Sequence, residues 1–163
     1  MDLSQDIARL IEQERRLRFE HFTADIAWQI GTQLKALAES RHAAVTIEIR
    51  VNRELVFFYA MPGTAPTNAD WARRKRNTVE LMHKSSYRVG RELERDGGTL
   101  EDRMGLPLRD HAVHGGSFPL MVLGLGCVGT VTVSGLPQRE DHAMLVEVLA
   151  PLCSVPLDEI KLD

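Results

Sequence analysis

Apolar side chains recur at helical spacing from Leu3 to Leu37, and the period then drops abruptly to two. Leu3, Ile7, Leu10 and Ile11 define one apolar face, with Asp2 or Ser4 placed to cap it. Phe22, Ile26, Ile30, Leu34 and Leu37 define a second face and predict a helix over Thr23–Glu39, in which Gly31 marks a close contact with a neighbour. Val45, Ile47, Ile49 and Val51 alternate with Thr46, Glu48 and Arg50, the pattern of a half-buried strand. Asn52-Arg53 turns the chain, and Leu55–Ala60 returns as an antiparallel partner.

The second half alternates helix and hairpin again. Met61–Asn68 is a loop dense in Pro, Gly and Thr, and Thr67 or Asn68 can cap a helix over Ala69–Lys84. Ser85 or Ser86 interrupts it, and a further helix ends near Arg95 at the Gly97-Gly98 stop. Thr99–His111 reads as a short helix and an extended piece. Phe118–Leu123 and Cys127–Val133 flank a Gly124–Gly126 turn and form a second hairpin. Pro137 suits the first turn of a last helix, in which Glu140 and Asp141 lie where the helix dipole favours anions. The tail after Pro151 is expected to be a surface extension or a contact between copies. Hairpins with short turns build an antiparallel sheet, and the intervening helices cover its faces, so the fold class is α+β.

Length and composition narrow the function classes. A chain of 163 residues is one domain, and 44% hydrophobic with 26% charged residues is ordinary for a soluble globular protein. A net charge of −3 argues against a general nucleic-acid partner. No apolar run approaches the ~20 residues of a membrane span. The charged N-terminus is unlike a secretory signal, so a cytoplasmic location is expected. Cys127 and Cys153 are expected as reduced thiols.

Three places carry candidate chemistry. Trp71, Lys75, Val79, Met82 and Ser86 share one helix face. Lys75 either snorkels from that face or holds an anion at a pocket rim beside the indole. Ser86 is either a pocket group or a helix-breaking hydroxyl. Arg73, Arg74 and Arg76 point elsewhere, towards solvent or an interface. In His114-Gly115-Gly116, successive amides can converge on an anion, or the glycines can serve loop geometry alone. Asp141 and His142 are adjacent and diverge by about 100° on a helix, so one caps while the other faces the sheet. No HxH, HExxH or CxxC spacing supports a metal site, and no GxSxG supports a nucleophile. The LGLG of Leu123–Gly126 lies between strands and is a turn, not a dinucleotide fingerprint. The expectation is a common cleft uniting residues around 75, 115 and 142.

Three blocks, NADWARRKRNTVELMHKSSY (Asn68–Tyr87), HGGSFPLMV (His114–Val122) and GTVTVSGLPQREDH (Gly129–His142), occur in this order. In this combination the chain resembles uncharacterised protein family 0303, within the GlcG/HbpS-like, haem-degrading-domain superfamily, over nearly its whole length. The resemblance implies one domain over 1–163 and a profilin-like α/β/α sandwich with about five strands. A fifth strand would then lie near Leu17–Phe19 or Leu108–Val113. It also implies self-association into dimers or larger rings. Some members of the superfamily are linked to haem binding or breakdown, others to glycolate or diol utilisation, and one branch is appended to a cobalamin adenosyltransferase. Haem is the cofactor this resemblance brings in, with His83, His114, His142 and Met82 as the side chains chemically able to serve as axial ligands. The leading expectation is a cytoplasmic homo-oligomeric sensor or accessory domain that binds a small anionic molecule. A haem-binding or haem-degrading enzyme and a protein-interaction module are the alternatives.

Overall fold

A computed structural model describes residues 2–163. Helix α1 (Leu3–Arg16) starts at Asp2, whose carboxylate accepts from the Ser4 amide at 3.1 Å. A short strand, β1 (Arg18–Phe19), separates it from α2 (Ala24–Ser40), capped by Thr23. Strands β2 (Thr46–Val51) and β3 (Glu54–Ala60) form the first hairpin. Its turn residues Asn52 and Arg53 both have positive φ, 50° and 66°, as a type I′ turn requires. Helix α3 (Pro66–Met82) begins three residues earlier than its apolar pattern suggests. Pro66 occupies the first helical position, and Asn68 reaches back to accept from the Ala65 amide at 3.0 Å. Helix α4 (Ser86–Asp96) is capped by Ser85, and α5 (Leu100–Met104) is a single short turn. Strands β4 (Ser117–Val122) and β5 (Gly126–Ser134) make the second hairpin, followed by α6 (Gln138–Leu152).

The strand order is β1-β4-β5-β2-β3. Each neighbouring pair among β4, β5, β2 and β3 is antiparallel, while β1 runs parallel to β4 and makes the five-stranded sheet mixed. The long excursion between β1 and β4 removes the constraint that a hairpin turn places on direction. One sheet face is apolar: Ile47, Ile49, Phe118, Leu120, Val131 and Val133 are buried against Ile30 and Leu34 of α2 and Met144, Leu145 and Leu149 of α6. Gly31 makes the close contact its sequence position suggests, because the Phe57 ring lies 2.5 Å from where its Cβ would stand.

The other face differs from the expectation of a half-buried β2. Thr46 and Glu48 are buried like Ile47 and Ile49, Thr46 completely and Glu48 nearly so, because α3 covers the polar side as well. Cross-strand pairing aligns them with Ser134, Thr132 and Ser117, so α3 rests on a layer of hydroxyls. Arg76 of α3 ion-pairs with Glu48 at 2.8 Å, and Ser117 Oγ meets Thr132 Oγ1 at 2.8 Å. Among the described residues the Thr46 and Thr130 hydroxyls have no partner. The tail is also not a free extension. It folds back over α1, burying Ile160 completely, and the Ile160 carbonyl accepts from Gln13 Nε2 at 2.8 Å. Among the described residues no helix is long and apolar enough to cross a membrane.

Candidate functional site

A cleft of about 260 Å³ opens where three segments distant in sequence converge, the last of them running from the end of β5 into α6. The first turns of α3 contribute Asn68, Trp71 and Lys75. The loop before β4 contributes His114, the end of β5 and its exit contribute Ser134, Gly135 and Leu136, and α6 contributes Gln138 and Asp141. Two grooves are larger, at about 450 and 460 Å³. The first runs between α1 and the tail, and the second is a furrow rimmed by Arg15, Arg16 and Arg18 near the β1 edge. Neither contains a buried ion pair facing an exposed imidazole, and the smaller cleft contains both.

The floor is the Lys75–Asp141 pair. Both side chains are almost fully buried, with Nζ 2.8 Å from Oδ2. Lys75 also donates to the Val133 carbonyl at 3.3 Å. The Asp141 carboxylate reaches back over the α6 N-terminus, where Oδ1 accepts from the Leu136 amide at 3.0 Å and Oδ2 from that of Gly135 at 3.4 Å. Even so, burial outweighs Lys75 and the two amides and pushes the Asp141 carboxyl up from its ordinary value. Lys75 therefore does not snorkel, and its charge is already matched.

His114 forms one wall, edge-to-face with Trp71 at 5.0 Å between ring centroids. Burial first, then the positive charges of Lys75 and Arg74, push its imidazole down and favour the neutral form. Arg74 lies over the Trp71 ring at 4.4 Å. The cleft is thus a place of positive potential around a neutral imidazole.

The glycines act behind this wall. The Gly115 amide does not face an anion, because it donates to Gln138 Oε1 at 3.1 Å. A Cβ on Gly116, whose φ is +128°, would lie 2.7 Å from Lys75 Nζ and 3.1 Å from Asp141 Cβ. Glycine there leaves room for the ion pair.

Two sequence-selected residues lie elsewhere. Ser86 Oγ is buried at the start of α4, where it accepts from the Ser117 amide at 3.1 Å and ties that helix to β4. His142 points from α6 into the interior beneath α1, with Nε2 2.8 Å from Gln13 Oε1. Gln13 Nε2 is committed to the Ile160 carbonyl, so His142 is the donor and carries its proton on Nε2. Segments 75 and 115 meet as expected, and at the α6 end the residue they meet is Asp141. Asn68 and Gln138 were missed. Asn68 lies three residues before Trp71 on the face that carries Lys75, so extending that stripe backwards would have found it.

The arginines of α3 are occupied within the chain. Arg73 pairs with Asp70 and Asp110, Arg74 donates to the Leu108 carbonyl, and Arg76 is held by Glu48. Among the described residues no three His, Cys, Asp or Glu side chains gather as metal ligands would.

Comparison with known proteins places this architecture. A family model described as "Haem degrading protein HbpS-like" matches residues 22–150. A UPF0303 protein of Azotobacter vinelandii is 55% identical over 163 residues, covering all of this chain and 98% of that relative. A UPF0303 protein of Serratia proteamaculans is 46% identical over 160 residues, covering 98% and 99%. Among solved structures, the Ybr137w protein superposes with a TM-score of 0.83 at 25% identity, covering 91% of this chain and 87% of that one. HbpS superposes at 0.64 with 19% identity, covering 81% and 89%. A PduOC:heme complex does so at 0.68 with 16% identity, covering 79% and 93%. The last two likenesses are likenesses of fold. By the match over residues 22–150 and the whole-length similarity to UPF0303 proteins, the chain belongs to the HbpS-like family and, within it, to the UPF0303 proteins.

Proposed function

We propose that the chain is a cytoplasmic, self-associating domain that binds a small anionic ligand in the cleft between Trp71, Lys75, His114 and Asp141. One observation carries the reading: a buried ion pair forms the floor of an open cleft in which the neighbouring imidazole experiences positive charge. Burying two charges is expensive, and apolar residues would pack the same space more cheaply. Two free thiols suit a reducing compartment. Native mass spectrometry of the purified protein is expected to reveal a bound small molecule that is absent from Trp71→Ala and His114→Ala, both folded by circular dichroism. No adduct in the parent, or an adduct retained in both variants, would remove the reading.

A second reading takes haem as the ligand, and His114 favours it. A neutral imidazole at an open cleft beside an indole is a competent axial donor, and haem bound there would supply redox chemistry. His142 is enclosed and its Nε2 is used, while Met82 packs against the Val89–Leu93 cluster. The size of the cleft ranks haem second. Its 260 Å³ falls below the roughly 300–1,000 Å³ of sites for drug-sized ligands, so one chain does not enclose a macrocycle.

Self-association is supported by β3. It is an edge strand of seven residues, with Leu55, Val56 and Phe58 exposed and Trp28 of α2 exposed beside them. Long apolar edges are normally blunted by charge or covered. The opposite edge, β1, has only two residues, so the matching partner for β3 is the β3 of a second copy, a two-fold arrangement. Phe58→Lys is expected to halve the mass seen by sedimentation while leaving the circular dichroism spectrum unchanged. An unaltered mass would exclude this edge.

A further inference from the structure

We infer that the ligand is a small organic monocarboxylate with a flat apolar body, selected by cleft walls that present hydrogen-bond donors. The inference rests on the ligand-binding reading above and names the class of ligand that site takes. Two carboxamides in the lining are fixed in orientation by the backbone. Asn68 Oδ1 accepts from the Ala65 amide at 3.0 Å, and Gln138 Oε1 accepts from the Gly115 amide at 3.1 Å. A backbone N–H can only donate, so in each case the oxygen end is the end turned to the protein. Among the described residues neither NH₂ group donates to the chain, and both belong to side chains that line the cleft.

The floor adds to the same polarity. Lys75 has three donors, two of them directed to Asp141 and Val133. The single carboxylate of the lining has its oxygens engaged by Lys75, Gly135 and Leu136. An incoming amine would set donor against donor, and an incoming amide could pair only through its single oxygen, in neutral rather than charge-assisted bonds. An incoming carboxylate meets partners on each of these groups.

Charge selects the number of negative charges. Lys75 and Asp141 cancel, and Arg73 and Arg109 are matched by Asp70 and Asp110. Arg74 over the Trp71 ring remains, bonded only to a carbonyl. The nearest charge without a carboxylate partner is thus a single guanidinium behind the Trp71 wall, close enough to act on His114, which matches a monoanion. A dianion would bring its second charge towards Asp141. The Trp71 indole supplies an apolar wall, and 260 Å³ suits a single-ring acid.

The test uses Trp28→Phe as background, which leaves Trp71 as the sole tryptophan. Its emission is titrated with benzoate, benzamide and phenyl phosphate. Benzoate is expected to quench saturably, with a Kd at least about tenfold below those of the other two, since a hydrogen bond to a charged group exceeds a neutral one by about that factor. Asn68→Asp and Gln138→Glu each keep the oxygen that holds the backbone amide and replace only the NH₂. Each is expected to weaken benzoate about tenfold and to spare or improve benzamide. Equal affinity for benzoate and benzamide, or benzoate binding unchanged in both variants, overturns the donor-wall inference and leaves the cleft as a binding site. Tighter binding of phenyl phosphate overturns the monoanion. Saturable quenching by none of the three probes removes the inference together with the ligand-binding reading.

Discussion

Asp141→Ala is expected to be the most damaging single substitution in the cleft, costing about 3–5 kcal/mol of stability. It strands the Lys75 ammonium in a buried position with only the Val133 carbonyl at 3.3 Å. It also removes the acceptor for the Leu136 and Gly135 amides. For a chain of this size the midpoint of thermal unfolding should fall by on the order of 10 °C. Urea denaturation followed by circular dichroism measures the loss. The double variant Lys75→Met/Asp141→Leu removes both charges together and should recover most of it. A single variant within about 1 kcal/mol of the parent would show that the pair is not held as the geometry describes.

Acid should destabilise the protein through His142. The imidazole is fully buried, Nδ1 has no partner among the described residues, and burial pushes its pKa down from 6.5 to about 3. The sign follows from which state takes up the proton. Below pH 6.5 the unfolded chain protonates His142, whereas the folded chain does not until about pH 3. The contribution is therefore intact above pH 6.5 and declines as pH falls towards 3. Between pH 7 and pH 5 the decline amounts to about 2 kcal/mol. Asp141 and Glu14, both pushed up by burial, act in the opposite sense at lower pH, since protonation suits their buried state. His142→Gln keeps a donor for Gln13 and cannot titrate, so comparing parent and variant in urea at both pH values isolates the imidazole. An equal pH dependence in the two proteins would assign the acid sensitivity to other groups.

Much of the architecture was legible because the local signals agree with the global packing. The alternation around Ile47 and Ile49, the Asn52-Arg53 turn and the helical stripe from Phe22 to Leu37 each specify their own element. The parallel pairing of β1 was not legible, since two residues carry no period. Nor was the burial of the polar side of β2, because Thr46 and Glu48 look like solvent-facing residues until Arg76 arrives from another element. The cleft was half legible. Lys75 among apolar neighbours signalled a packed stem with its ammonium in water or at a pocket rim; that the charge is buried against a carboxylate was not legible, since adjacent Asp141 and His142 were equally eligible by position. Asp141 won because it can turn back over the helix start to the Gly135 and Leu136 amides, while the next residue round the helix faces inward.

The hydroxyl layer beneath α3 has a consequence for how the chain finds its native arrangement. A greasy interface tolerates sliding, because one methyl group replaces another with little penalty. Here the helix is located by directional matches, Lys75 with Asp141 and Arg76 with Glu48, over a bed of short alcohols. Displaced by one turn, those cations would leave Asp141 and Glu48 and lie over threonine and serine, so the ion pairs favour one seating of α3. Docking of that helix is therefore all-or-none, and it also completes the cleft, since Asn68, Trp71 and Lys75 all arrive with it.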